Sequence, residues 1–272
     1  MLYQMENQHG GDVYGGGITL DFSANTNPLG TPPGVLEAVC RALPQLHRYS
    51  DPYCRRLVQA IAGHEQVPAS YILCGNGAAD LIYTYCAALR PRTAVEPAPT
   101  FAEYGLGLAQ VGCRVTPYFL HQAENFDVDE GFLPFLEEKK PEVVFLCNPN
   151  NPTGRLLPLP LLEWILQGCA AWGARVFLDE CFLDLTEDGV SAKALLAAHP
   201  ELLILKAFTK SYGMAGIRLG YCLCADSALL HRMASASQPW NVSSLAQSAG
   251  VAALTEQGFL RRTRELIRTE RR

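Results

Sequence analysis

Val143-Val-Phe-Leu-Cys147 is an unbroken apolar run, stopped at once by Asn148-Pro-Asn-Asn-Pro152. A strand with one wet face alternates, whereas a strand buried on both faces reads as continuous apolar sequence and belongs to a parallel sheet. The same grammar recurs on either side. Arg175-Val-Phe-Leu178 stops at Asp179-Glu180, Leu202-Leu-Ile-Leu205 leads to a Thr209-Lys210 loop, and Tyr71-Ile-Leu-Cys74 stops at Gly75-Asn76-Gly77. Further strands are predicted over residues 93–96, 114–119 and 217–224. Helical spacing covers residues 35–43, 53–64, 78–89, 101–111 and 158–172, and one last long helix is expected over residues 243–268. Strands alternating with helices predict an α/β fold, a mostly parallel sheet sandwiched by helices.

In such sheets ligands bind beyond the carboxyl ends of the strands. The polar residues that follow each apolar run therefore define one candidate site: Gly75-Asn76-Gly77, Asn148 to Asn151, Asp179, and Thr209-Lys210. Gly75-Asn76-Gly77 lies between a strand and a helix and offers free backbone N–H groups to a phosphate; a plain tight turn reads equally from it. Asp179 closes a strand in apolar surroundings, where a carboxylate needs a cation or a proton opposite it. A helix cap or turn carboxylate is the other reading of that residue.

The chain has five lysines. Lys139 and Lys140 follow Glu137-Glu138 in a solvated charge run, Lys193 falls on a predicted surface helix, and Lys206 is embedded at a strand end with no clear direction. Lys210 stands after its strand among small residues, with Arg218 close behind. A nucleophilic amine must be partly desolvated near another cation to be free at neutral pH, and Lys210 meets that requirement best.

Composition narrows the classes. Of 272 residues 49% are hydrophobic and 18% charged, with a net charge of −5, an ordinary globular balance. The basic residues gather only at the end, from Arg261 to Arg272, where they alternate with Glu265 and Glu270 at helical spacing. That pattern reads as a solvated helix face, not a nucleic-acid stripe. Ten cysteines without C-x-x-C spacing suggest reduced thiols in a cytoplasmic protein and no zinc. No secretory signal and no membrane-length apolar stretch is found. Gly105-Leu-Gly107 lacks the third glycine of a dinucleotide fingerprint, and no P-loop is present.

Taken in order, Gly75-Asn-Gly-Ala78, Pro99-Thr-Phe-Ala-Glu-Tyr104, Asn148-Pro-Asn-Asn-Pro-Thr-Gly154, Asp179-Glu180, and Thr209-Lys210 with Gly216-Ile-Arg218 resemble the class I/II aminotransferase group of fold-type I pyridoxal-phosphate enzymes. The resemblance covers nearly the whole chain. It implies pyridoxal 5'-phosphate as cofactor and Lys210 as the residue that binds it covalently and later moves a proton. Asp179 then faces the pyridine nitrogen, Asn151 the ring's O3′ and the substrate carboxylate, and Phe101 stacks on the ring; without the family Phe101 reads as a core aromatic. The phosphate falls to Gly77, the backbone of Ala78 and Ala79, the Thr209 hydroxyl and Arg218. Tyr49 resembles the tyrosine that reaches a neighbouring subunit's phosphate, which implies a homodimer. Ala207 stands where relatives often place a phosphate-binding hydroxyl.

The resemblance also divides the chain into an N-terminal arm and small-domain segment (1–34), a cofactor-binding large domain (35–240), and an interdomain helix leading into an incomplete small domain (241–272). The family continues past the position of Arg272 into a segment with arginines for the substrate's acidic groups, so weak substrate affinity is expected. His9-Gly-Gly-Asp12, Asp21-Phe-Ser-Ala-Asn25-Thr-Asn-Pro-Leu-Gly30, Phe182 and Gln238-Pro-Trp-Asn-Val242 are similar to the threonine-phosphate decarboxylases of cobalamin biosynthesis. In those enzymes the counterparts of His9, Gly10 and Asn25 belong to the substrate site; by itself His9 also reads as part of a flexible terminus. Histidinol-phosphate aminotransferase is the alternative within the fold, and a cofactor-binding protein without turnover the alternative outside it.

Overall fold

The computed structural model describes residues 10–271. Its seven strands are β1 (Ile72–Gly75), β2 (Thr93–Ala98), β3 (Arg114–Phe119), β4 (Val143–Cys147), β5 (Arg175–Asp179), β6 (Leu202–Ala207) and β7 (Gly220–Cys224). They form one sheet in the order β1-β7-β6-β5-β4-β2-β3. The run from β6 to β3 is parallel, as expected, while β7 is antiparallel to both β6 and β1. The central β4, β5 and β6 are buried along almost their whole length, and this is why their sequences are unbroken apolar runs. β3 lies at an edge and is the wettest strand; Pro117 sits there because an edge strand has a side that needs no N–H donor.

The helices are α1 (Pro33–Ala42), α2 (Arg55–Glu65), α3 (Ala78–Leu89), α4 (Glu103–Gln110), α5 (Phe132–Lys139), α6 (Leu159–Ala171), the single turn α7 (Phe208–Ser211), α8 (Ser227–Ala236), α9 (Ser244–Ala253) and α10 (Phe259–Glu270). Buried residues of α2, α5, α6 and α9 cover one face of the sheet with Val176, Leu178 and Ile204. Those of α3, α4 and α8 cover the other with Phe145, Phe177 and Leu205. Side chains alternate along a strand, so Asp179 continues the α3/α4 face while Lys206 points to the α2 face.

Three expectations change. The single long helix over residues 243–268 is two helices, because Gly258 adopts a left-handed conformation (φ +70°) and starts α10 afresh. The Thr209-Lys210 loop is the helical turn α7. The strand expected from residue 217 begins at Gly220, since residues 215–217 form a 3₁₀ turn and Arg218 is left-handed (φ +60°). Two helices had no forecast, α5 and α8; Asp226 caps α8 by accepting from the N–H groups of Ala228 and Leu229. Arg261, Arg262, Arg264 and Arg268 do lie on a helix, with Arg261 paired to Glu265 at 2.8 Å; Arg272 lies outside the described residues. All ten cysteines are free thiols.

Candidate active site

The strand ends place the candidate residues along one rim. Cys147 pairs with Asp179, Asp179 with Leu205, Ala207 with Gly220, and Gly220 with Gly75. Because β7 runs backwards, Arg218, which precedes its strand, arrives at the same rim as residues that follow theirs.

One end of the rim is an anion cradle. Gly77 starts α3 at φ +90° with no side-chain cap, which leaves the N–H groups of Ala78 and Ala79 at an open helix N-terminus. A Cβ on Gly77 would lie 2.7 Å from Nη2 of Arg218, and one on Gly220 would lie 3.0 Å from the Gly77 carbonyl carbon. Both glycines are needed so that the guanidinium and β7 can approach the turn. Asp80 braces it: its Oδ2 accepts from the Asn76 N–H (2.8 Å) and from Asn241 Nδ2 (3.0 Å). Left-handed backbone at a non-glycine residue costs energy, and at Arg218 it aims the guanidinium into the cradle.

Asp179 lies at the centre, 5% exposed. Its Oδ1 accepts from the Cys181 N–H (2.8 Å) and its Oδ2 from the Tyr104 hydroxyl (2.8 Å). Beneath it the rings of Tyr104, Phe145 and Phe177 stack at 5.3 and 4.8 Å. Burial in this apolar bed pushes the carboxyl up; the two hydrogen bonds and the Lys210 ammonium pull the other way without cancelling it. The Lys210 amine is half-buried, and its Nζ lies 5.5 Å from the centre of the Phe182 ring. Burial lowers its pKa and Arg218 adds to the effect, while Cys181 and Asp179 oppose it. A buried acid is thus held opposite an amine biased toward the free base.

Thr209 shares the turn with Lys210. Phe101 packs edge-on against Tyr104 at 5.6 Å, directly before α4. Asn151 is half-buried in the loop after β4, and its N–H lies against the Cys147 sulfur; the neighbouring Asn150 ties that loop to Thr100 at 2.8 Å. Tyr49 is apart from this group, 81% exposed and stacked on Trp240 at 4.5 Å. His9 lies outside the described residues. Gly10 is set so tightly against Ser23 that a Cβ would overlap it, and the Gly11 N–H bonds Ser23 Oγ at 2.8 Å. The structure therefore joins the Gly10 segment to the segment of Asn25, which is itself exposed. Asn27, two residues on, is buried and donates to the Ser211 carbonyl at 2.7 Å.

Sequence reasoning missed Tyr104 as the partner of Asp179. The signal was one helical turn between Phe101 and Tyr104, which puts both on the same side of the start of α4. It also missed Asn27, for which sequence carries no sign of the distant carbonyl it meets.

Residues 18–272 match the family model described as aminotransferase class I and II. The chain belongs to this family. Within the class I/II aminotransferase family, it is 40% identical over 251 residues to a threonine-phosphate decarboxylase of Salmonella typhimurium, covering 92% of this chain and 69% of that protein. It is 34% identical over 252 residues to a histidinol-phosphate aminotransferase of Geobacillus sp., covering 91% and 68%. Among solved structures, the histidinol-phosphate aminotransferase of Clostridium acetobutylicum superposes with a TM-score of 0.84 at 27% identity, over 92% of this chain and 73% of that one. The aminotransferase fold is thus confirmed.

The rim fits the family's phosphorylated pyridine cofactor. The Gly77 cradle is kept open by the missing Cβ, the buried Asp179 requires a proton or cation opposite it, and Lys210 is the amine that faces it.

Proposed function

We propose that the protein is a pyridoxal-phosphate-dependent decarboxylase that converts L-threonine O-3-phosphate to (R)-1-amino-2-propanol O-phosphate, a step of cobalamin biosynthesis. The observation that carries this reading is the sequence likeness to a threonine-phosphate decarboxylase, which exceeds that to the histidinol-phosphate aminotransferase cited above. Phe182 beside the Lys210 amine agrees with it.

The chain's own residues divide the work. The open N–H groups of Ala78 and Ala79, with Gly77, Thr209 and Arg218, hold the cofactor phosphate. Phe101 covers one face of the ring, and Asn151 donates to its O3′ and to the substrate carboxylate. Asp179 keeps the proton on the pyridine nitrogen, and the Tyr104 and Cys181 hydrogen bonds keep the carboxylate aimed at it. When bound, the cofactor supplies an electron sink for the pair left at the substrate Cα as CO₂ departs. Lys210 attaches the cofactor and, once released, delivers a proton to Cα. Its lowered pKa favours the free base that attaches the cofactor. His9, Gly10 and Asn25 contribute to the substrate site from the arm.

The same reading includes a cytoplasmic homodimer in which Tyr49 reaches the cofactor phosphate of a second copy. Tyr14, Phe22, Leu46, Tyr49 and Tyr53 are all more than half exposed, and so much apolar surface in the arm and around α1 calls for a cover. Among the described residues, no helix is long and apolar enough to cross a membrane. The division into arm, large domain and interdomain helix belongs to the same proposal.

Product analysis tests it. L-Threonine O-3-phosphate incubated with the loaded enzyme should release CO₂ stoichiometrically with the amino-propanol phosphate. Formation of a keto acid dependent on 2-oxoglutarate would select the aminotransferase instead, and bound cofactor with no product from either assay would leave a protein without turnover.

A further inference from the structure

Behind the lysine turn, on the opposite face of the sheet from Asp179, lies a charged cluster that the chemistry above does not use. Lys206 is 5% exposed, and its Nζ lies 3.1 Å from Glu65 Oε1 and 3.1 Å from Asp184 Oδ1. Glu65, at the end of α2, is 2% exposed and also accepts from Lys193 Nζ (2.9 Å) and the Tyr221 hydroxyl. Asp184 uses its other oxygen to accept from the Ser211 hydroxyl at 3.2 Å, and its main-chain carbonyl accepts from Arg264 at 2.8 Å. Two lysines face two carboxylates, so this core of the cluster is balanced in charge. Glu180, next to Asp179 in sequence, is fully buried nearby and satisfied by Ser191 Oγ and the Ala192 N–H.

The cluster meets the site at one residue. Ser211 directly follows Lys210, and it is gripped at both polar ends: the hydroxyl by Asp184, the carbonyl by Asn27 (2.7 Å), which also donates to Thr263 Oγ1 at 2.9 Å. A single helical turn such as α7 does not hold its own shape, since the first turn of a helix costs more order than its bonds return. Its geometry must be imposed from outside. Gly213 adds a further constraint: a Cβ there would lie 2.6 Å from the Gly30 carbonyl, and Thr31 Oγ1 donates to the Gly213 carbonyl at 2.7 Å.

We propose that Lys206 is a positioning residue for Lys210: through Asp184 it fixes the Ser211 hydroxyl, and this link, with Asn27 on the Ser211 carbonyl, aims the amine at the rim. The inference rests on the reading that Lys210 carries the cofactor. Lys206 itself touches neither cofactor nor substrate. It holds the half-buried Asp184 carboxylate in place, and that aspartate sets where the turn sits. The groups facing the Lys210 amine are Asp179 and Cys181 at the end of β5, the Phe182 ring, and Arg218 before β7. A turn released from Ser211 would let the amine leave these neighbours for solvent.

The experiment has two stages. Borohydride reduction of the loaded full-length protein, followed by peptide mapping, first identifies the lysine bearing the cofactor. Mapping to any lysine other than 210 overturns the cofactor reading and the proposal with it. With Lys210 mapped, the amine's apparent pKa is measured in the cofactor-free full-length chain. The measurement is competitive acetylation against pH, read by mass spectrometry with Lys139 as internal control. Ser211→Ala, which removes the hydroxyl link while Asn27 retains the carbonyl, should raise the apparent pKa of Lys210 toward that of an ordinary lysine, with Lys139 unmoved. Lys206→Met should do the same or more, and Lys206→Arg, which keeps the cation, should restore the wild-type value. If Lys206→Met does not fold, the Ser211→Ala and Lys206→Arg results decide alone. An unchanged Lys210 pKa in Ser211→Ala, or a Lys206→Arg chain that titrates like a solvated lysine, overturns the positioning role and leaves the cofactor reading standing.

Discussion

Lys206 and Lys210 are four residues apart and could hardly be placed more differently. Lys206 ends a strand on the α2 face, 5% exposed and locked between Glu65 and Asp184. Burial alone would pull its pKa down, but Asp184, Glu65 and Glu180 outweigh burial and raise it. Lys210 sits on the turn after that strand, half-buried, with Arg218 reinforcing the downward pull of burial. The same side chain is therefore a permanent cation in one place and a prospective nucleophile in the other. Burial does not make a lysine reactive; burial without matched carboxylates does.

The contrast is broken most severely by removing the reactive member. Lys210→Ala should abolish the visible cofactor band near ~420 nm and reduce turnover by roughly 10³-fold or more. Spectrophotometry of the reconstituted variant checks the first, and an undiminished band would move the cofactor elsewhere. The structural member should behave in the opposite way. Lys206→Met takes one cation from the buried Glu65, which keeps Lys193, and from the half-buried Asp184; it should destabilise the chain by about 1–3 kcal/mol, measured by denaturant unfolding without cofactor, whereas Lys210→Met should cost less than about 1 kcal/mol there. Equal losses at the two sites would erase the distinction.

Asp179 sharpens the comparison from the acid side. It is buried against a lysine that does not fully neutralise it, so its cost is functional. Asp179→Ala should lower turnover by roughly 10²-fold or more while the apo-protein melts no lower than wild type. A variant that keeps activity within a few-fold, or that fails to fold, would show the residue to be structural.

Glu65 and Glu96 give the smallest effects, with opposite signs in pH. Burial pushes Glu65 up, but Lys206, Tyr221 and Lys193 hold it at about 2. A folded value below the unfolded one contributes stability above pH ~4.3 that is lost as pH falls toward 2. Burial raises Glu96 to about 7, and its Oε2 is buried without a hydrogen-bond partner. Between pH ~4.3 and 7 the folded state then holds a proton that the unfolded chain has released, so stability falls as pH rises through that window. Glu96→Gln should accordingly raise stability by about 1–2 kcal/mol at pH 8 and by little at pH 4.5, seen in paired melting curves. A gain of equal size at both pH values would show that ionisation is not the cause.

Much of this was legible in the sequence because burial on both faces writes itself as unbroken apolar runs. Asp179 and the Asn148 loop stand where those runs stop, and Lys210 follows from asking which lysine stands just after a strand among small residues with a second cation near. The direction of Lys206 was not legible: Leu-Leu-Ile-Leu-Lys carries no hint of Glu65, far upstream, or of Asp184, reached across the turn after β5. Lys193, expected on a solvated surface, is drawn to the same Glu65 for that reason. The reversal of β7 was equally hidden, since an apolar strand reads alike in both directions. The break at Gly258 was visible as a glycine, but the helical spacing that resumes beyond it made the two helices look like one.

That reversed strand has a consequence for how the chain tolerates changes in length. The link from β6 to β7 leaves and re-enters at the rim that carries Lys210 and Arg218, so an added residue there would spread amine and guanidinium apart. The links at residues 140–142 and 172–174 enter β4 and β5 from the far rim. Epitope tags or natural insertions grafted at those far-side turns should leave cofactor loading intact, while the same graft between residues 212 and 217 should prevent it.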